Sequence, residues 1–222
     1  MVLNRKSYRW FYDHVHSRYY NLLIKWCFLP FGGEMTCRKA LLEPVAFSPG
    51  DRILDLCCGT GGATCTISKK AGHAHQIVGL DLSGGQIRAA RKRPQLIKAE
   101  FVKGDAAYTP FRNSFFDKVF ITHALHEMPR EIRRKVLAEA RRILKDGGLL
   151  IALEVNNPES LPLRVFAGFW FFYWLPFNFE TPTRRDMWLR GGLVAEIEEA
   201  GFKHVTKITK FGGIFQTVSG IK

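Results

Sequence analysis

RILDLCCGTGGATCTISKKAG, residues 52–72, followed by QIVGLDLSGGQIRAARKR, residues 76–93, decides how the chain is read. Ile53, Leu54 and Leu56 form a short apolar run, dense enough for a central strand buried on both faces. Gly59 and Gly61 follow at once, and a helical pattern from about Gly62 to Ala71 stops at Gly72. A second strand, Gln76 to Leu80, delivers Asp81, and Ser83 stands where the next helix needs a cap. Strand, glycine loop, helix, strand, acidic residue and helix is the order of a nucleoside-type cofactor site at the start of an α/β sheet.

The spacing narrows the ligand. Gly59 and Gly61 let the main chain turn tightly and approach a bound molecule, while the following helix begins with free N–H groups. A dinucleotide site with G-x-G-x-x-G spacing would need a third glycine at position 64, which is Thr64. Asp55, at the strand end, would repel a pyrophosphate and attract a ligand amino group. Asp81 lies 20 residues beyond Gly61, where a carboxylate can accept both hydroxyls of a ribose. Asp105 follows a third strand, Ala99 to Lys103, and is placed to receive the exocyclic amine of an adenine. Carboxylates at three successive strand ends describe a cationic adenosine derivative, and S-adenosylmethionine fits.

Upstream, Tyr8, Phe11, Tyr12, Val15, Tyr19, Leu22, Leu23, Trp26 and Cys27 recur at spacings of three and four. They predict one or two amphipathic helices ending near Pro30-Phe31-Gly32-Gly33, then a short helix from Thr36 to Phe47. Residues 1–48 are thus expected to form a helical lid over the cofactor. Downstream come a fourth strand, Lys118 to Thr122, and a helix from Pro129 to Leu144 with one apolar stripe opposite arginines and lysines. Asp146-Gly147-Gly148 ends that helix, and Leu149 to Glu154 is the fifth strand. Residues 155–183 interrupt the alternation as an insert, followed by a helix from Arg184 to Ala200. Val205 to Lys210 and Ile214 to Ser219 are strands joined through Phe211-Gly212-Gly213, a link short enough only for an antiparallel pair.

With 222 residues, 46% of them apolar, the chain can bury a sizeable core in one domain spanning 1–222. Lys and Arg exceed Asp and Glu by 33 to 20, a net charge of +13 that favours an anionic partner: nucleic acid, an acidic lipid surface or an anionic substrate. The five cysteines, three of them inside the glycine-loop region, predict a reducing, cytoplasmic setting without disulfides and without a metal site. The N-terminus has no signal-peptide pattern. The longest apolar run, Val165 to Phe177, is too short to span a bilayer and contains Pro176.

On these motifs the chain resembles the class I S-adenosylmethionine-dependent methyltransferases, from Asp51 to the C-terminus. The resemblance implies an α/β, Rossmann-like fold: a seven-stranded, mostly parallel sheet with an antiparallel last strand pair. It implies that Asp55, Gly59 and Gly61 line the methionine end of the cofactor, Asp81 and Leu82 the ribose and adenine region, and Asp105 with Ala106 the adenine. Thr122 and His123 match the residues under the sulfonium. FYDHVHSRYYNLL and the closing FGGIFQTVSGIK are similar to the ubiquinone and menaquinone C-methyltransferase group, which places Tyr12 near the cofactor as a cation–π lid over the sulfonium.

His126 and His123, just past the fourth strand, are the candidate general bases, with Glu127 as a candidate to orient His126. The insert carries nine aromatic residues between Leu161 and Phe179, which suits a bulky lipophilic acceptor or contact with a bilayer interface. Arg164, Arg184, Arg185 and Arg190 could meet anionic head groups. The expected partner is a lipophilic small molecule, with peripheral contact on an anionic inner membrane face. Two other readings stay open: a nucleic-acid methyltransferase, disfavoured because THALHE replaces the usual base-methylating motif, and a non-catalytic binding subunit. Oligomeric state is not legible.

Overall fold

The computed structural model describes residues 25–72, 76–170 and 181–222. Seven strands form one sheet: β1 Arg52–Leu56, β2 Gln76–Asp81, β3 Glu100–Lys103, β4 Phe116–Thr122, β5 Leu144–Val155, β6 Lys203–Lys210 and β7 Phe215–Ile221. Their order is β3-β2-β1-β4-β5-β7-β6. All pairs from β3 to β5 are parallel, and β7 runs antiparallel between β5 and β6. The chain therefore winds outward one way from β1 and the other way from β4. The crevice at the carboxyl ends of these two strands is the topological switch point, where open α/β sheets bind ligands.

The described helices are α1 Glu34–Leu42, α2 Gly62–Ala71, α3 Gly84–Arg91, α4 Arg130–Ile143, α5 Leu161–Gly168, α6 Thr181–Leu189 and α7 Gly192–Glu199. On one face of the sheet, Leu54, Val119, Ile121 and Leu150 pack against Val136, Leu137 and Ala140 of α4, with Met187 of α6 and Leu193 and Ile197 of α7. On the other, Ile53, Phe120, Ile151 and Phe215 pack against Leu41 and Leu42 of α1 and Ile67 of α2, with Phe28 and Phe31. Burial on both faces explains why the central strands read as continuous apolar runs.

The helix expected from Arg184 to Ala200 is instead two. Gly191 and Gly192, at φ +88° and +75°, leave the right-handed helical region and let α7 restart at a new angle. The short N-terminal helix ends at Leu42, two residues before Pro44, which has no N–H to continue it. β5 starts earlier than its apolar run suggests: Leu144 pairs with Phe116 before the register shifts, so that Lys118 pairs with Leu149. The N-terminal lid pattern before residue 25, with Tyr12, and the aromatics from Phe171 to Phe179 lie outside the described residues.

Candidate functional site

The turn after β1 is built from left-handed residues: Cys57 at φ +66°, Gly59 at +55° and Gly61 at +78°. At Gly61 the positive φ favours glycine, and a β-carbon would also come within 2.7 Å of Leu96 Cδ1, so that side chain would have to move. Cys57 has a β-carbon and holds this conformation anyway, at a cost of roughly 1–2 kcal/mol. The loop is pinned to its neighbours, with Cys58 N–H donating to the Leu80 carbonyl at 2.9 Å. Gly59 N–H donates to Asp81 Oδ2 at 2.8 Å, and Ser83 N–H donates to Asp81 Oδ1 at 2.8 Å. The Asp81 carboxylate is thus held rigidly at the end of β2, and each oxygen keeps acceptor capacity for a ligand hydroxyl. Ser83 caps α3 as expected, its Oγ accepting from Gln86 N–H at 3.3 Å.

Asp55 is completely buried at the end of β1. Its Oδ2 accepts a 2.5 Å hydrogen bond from Thr64 Oγ1, whereas Oδ1 has no hydrogen-bond partner among the described residues. Burial pushes its carboxyl up to about 6, against the opposing pull of Thr64 and Arg38. Asp105 begins the turn after β3, its Oδ1 accepting from Ala107 N–H at 2.9 Å, with Ala106 buried beside it. The carboxylates converge on one place. Burial drives the Cys57 thiol far above its ordinary range, and Asp81, Asp55, Glu127 and Asp105 all add to the shift. Thr122, ending β4 next to the glycine loop, is buried with its Oγ1 unpaired among the described residues.

Buried polar atoms without partners are uncommon and mark places that a ligand or water completes. The unpaired atoms of Asp55 and Thr122 stand at the switch point itself, between β1 and β4. An acidic hollow with a glycine-lined backbone at its edge fits a cationic nucleoside with an amino-acid tail. Leu82, half-buried after Asp81, adds apolar surface next to it. These residues could hold the adenosyl cofactor in the arrangement their order implied.

The second cluster lies beyond β4. His126 is 5% exposed, in a 3-10 turn spanning Leu125–Glu127, and its Nδ1 lies 2.6 Å from Glu154 Oε2. Glu154 ends the apolar part of β5 and is completely buried. Its Oε1 accepts from the N–H groups of Ala124 at 2.9 Å and Leu125 at 2.8 Å. Burial alone would raise this carboxyl; the charge and hydrogen bond of His126, with the backbone donors, outweigh it and hold Glu154 below the usual carboxylate range. Thr183 Oγ1 donates to the His126 carbonyl, fixing the turn to α6.

Glu154, not Glu127, is therefore the group that orients His126. A lone glutamate ending the run LLIALE on a central strand was the available signal, since a charge there must have buried partners. His123 is a different kind of residue. Its ring meets Phe28 and Phe215 edge-on, with centroids 5.5 and 5.7 Å away, and its Nε2 is enclosed without a partner among the described residues. Burial, then the nearby Arg38 charge, lowers its pKa to about 3, so it stays neutral at physiological pH and has little affinity for a proton.

Two basic residues expected at the surface are internal. Arg133, one of the arginines opposite the apolar stripe of α4, is wholly buried, donating to Glu196 at 2.6 Å and to Asp186 at 3.0 Å. Arg184, expected to meet head groups, is 3% exposed and lies close enough to His123 to depress its pKa. Arg38 was not singled out at all. It is 6% exposed on α1, and its Nε donates to Glu34 Oε1 at 2.9 Å.

Comparison with known proteins agrees with this fold. A family described as a methyltransferase domain matches residues 53–148. An uncharacterized methyltransferase of Synechocystis sp. is 32% identical over 203 residues, covering 90% of this chain and 89% of that protein. A demethylmenaquinone methyltransferase of Staphylococcus saprophyticus is 31% identical over 67% of this chain and 65% of its own length. One from Staphylococcus aureus is 27% identical over 95% and 93%. Among solved structures, a SAM-dependent methyltransferase from Aquifex aeolicus shares the fold with a TM-score of 0.68 at 18% identity, covering 92% of this chain and 97% of that one.

Proposed function

Because the chain belongs to the class I S-adenosylmethionine-dependent methyltransferases, we propose that it methylates a lipophilic acceptor of the quinone-precursor, prenylated or lipid-like kind at a membrane surface. The observation that carries the choice of acceptor is an exposed apolar face at and just after α5. On α5, Leu161, Val165 and Phe166 are exposed, as is Phe169 just after it. They continue into Trp26 and Leu29, also exposed, through the Phe31–Phe166 ring contact and a 3.2 Å hydrogen bond from Trp170 Nε1 to the Cys27 carbonyl. Next to α5 is a hollow of about 260 Å³, lined by Val155, Pro158, Ala167 and Trp188 together with the polar Asn156, Asn157 and Arg164. Val155, on its wall, follows Glu154 on β5. The demethylmenaquinone methyltransferases among the relatives point to the same acceptor class.

When bound, the cofactor supplies a methyl group made electrophilic by its sulfonium. This chain's residues do the rest by positioning and proton handling. Asp55, Asp81, Asp105, Gly59 and Gly61 hold the donor, and Thr122 closes the floor between β1 and β4. In the tautomer in which Nδ1 donates to Glu154, His126 would take a proton from a phenol or activated ring carbon through Nε2. The buried Glu154 carboxylate then stabilises the imidazolium that forms. His123, unable to hold a proton near neutrality, packs the wall instead.

The test is a transfer assay with methyl-labelled S-adenosylmethionine and three acceptor classes: a demethylated, prenylated naphthoquinol in anionic vesicles, soluble polar phenols, and transfer RNA. Label in the organic extract of the vesicles is expected. Label confined to the polar phenols or to the RNA would overturn the lipophilic acceptor.

A further inference from the structure

We infer that Thr183 is a positioning residue for methyl transfer: its hydroxyl, with the Arg133 guanidinium, holds the carbonyl edge of the turn that carries His126, as Glu154 holds its N–H edge. The inference rests on His126 as the base and adds a residue from α6, outside the sheet. The need for it is written in the sequence His126-Glu127-Met128-Pro129. In a 3-10 turn each carbonyl accepts from the N–H three residues on. Ala124 and Leu125 are served in this way, by Glu127 N–H at 3.2 Å and Met128 N–H at 3.1 Å. The donor due to His126 would come from Pro129, which has no N–H. The turn therefore runs out of backbone donors at the residue that bears the imidazole.

Thr183 Oγ1 fills that place, donating to the His126 carbonyl at 2.5 Å. Two residues on, where Met128 becomes extended before Pro129, Arg133 Nη1 donates to the Met128 carbonyl at 2.6 Å and reaches the Thr183 carbonyl at 3.3 Å. Arg133 is itself held by Glu196 and Asp186, so the clamp is anchored on α4, α6 and α7 together. Glu154 meanwhile takes the N–H groups of Ala124 and Leu125 and the ring Nδ1. Two separate sets of contacts, one from β5 and one from the helices, thus fix the backbone on either flank of His126 and with it the direction of the ring. A reacting group needs such support, because a misplacement of about 1 Å can cost a factor of about 100 in rate. α6 also carries Trp188, which lines the hollow next to α5, so one helix both borders that hollow and holds the base.

The test is methyl transfer to a demethylated, prenylated naphthoquinol in anionic vesicles, with calorimetric binding of S-adenosylhomocysteine alongside. The whole chain is compared as wild type, Thr183→Val, Thr183→Ser, His126→Ala and the double variant Thr183→Val/His126→Ala. Thr183→Val keeps the shape and loses the hydroxyl: kcat should fall about tenfold to a hundredfold, with KM and cofactor affinity changed by less than about twofold. Thr183→Ser should restore most of the rate. In the His126→Ala background valine should add no further loss, because it acts through the imidazole. An unchanged kcat in Thr183→Val, or the full valine loss in the double variant, would overturn the inference. So would a fall in cofactor affinity as large as the fall in kcat, by showing a merely structural threonine. If Thr183→Val does not fold, Thr183→Ala is read in its place, and failure of both to fold overturns the inference in the same way. Wild-type turnover in His126→Ala would instead refute the base, and the positioning role with it. A wild type active only on a polar phenol or on transfer RNA would refute the acceptor alone, and the same ratios are then read with that acceptor.

Discussion

Glu154 Oε2 lies 2.6 Å from His126 Nδ1, and the same carboxylate accepts the N–H groups of Ala124 and Leu125 through Oε1. A residue on β5 thereby fixes both the backbone of the turn after β4 and the ring that turn carries. The imidazole is positioned by the sheet, which is more rigid than the loop on which it sits.

Replacing Glu154 with Gln should slow methyl transfer about 100-fold or more while leaving cofactor affinity nearly unchanged. The amide keeps the volume but loses the charge that favours the imidazolium and presents one donor where only acceptors fit. Steady-state kinetics with parallel binding measurements checks this; unchanged turnover would show that the pair is only structural.

His123 makes a pH prediction with a definite sign. Its folded pKa of about 3 lies below the ordinary histidine value of 6.5, so between these the unfolded state binds the extra proton. The stability it contributes is full above about 6.5 and is lost as pH falls toward 3, with a limiting slope of about 1.4 kcal/mol per pH unit. Asp55 works in the opposite sense, since its folded pKa is raised from 3.8 to about 6. The difference between wild type and His123→Phe therefore isolates the histidine: urea denaturation from pH 4.5 to 6.5 should show a shallower rise in the variant. Parallel curves would contradict the burial of a neutral ring.

Arg133 ties α4 to α6 and α7 through Asp186 and Glu196, with Glu196 almost fully enclosed. Arg133→Met should destabilise the fold by about 3–5 kcal/mol, because it strands a buried carboxylate, and adding Glu196→Leu should recover much of that loss. Denaturant midpoints of the single and double variants decide the matter.

At Gly61, alanine meets both a positive φ of 78° and Leu96 Cδ1 at 2.7 Å. Gly61→Ala should cost about 1–3 kcal/mol and weaken cofactor binding, since alanine is strained at this φ and Leu96 must give way. Thermal unfolding with and without S-adenosylhomocysteine measures both effects.

The cofactor half of the site was legible because its elements are local. Strand, glycine loop and acidic strand ends lie within a short stretch of chain, and the parallel sheet brings Asp55, Asp81 and Asp105 together once their strands are recognised. Glu154 and Arg133 were harder, because their roles depend on partners 28 and 63 residues away, which no periodicity reveals. Arg133 even has the spacing of a solvated helix face; only the return of α6 and α7 over α4 buries it. The break at Gly191-Gly192 was misread for a related reason, since glycines inside a helical pattern end it only when the backbone takes positive φ.

The most direct test of the whole account is a crystal structure of the chain with S-adenosylhomocysteine. The ribose should lie on Asp81, the adenine amine on Asp105 and the amino-acid end over Asp55, with the sulfur in the hollow between Thr122 and His126. A nucleoside bound elsewhere, or one whose ribose does not touch Asp81, would contradict it.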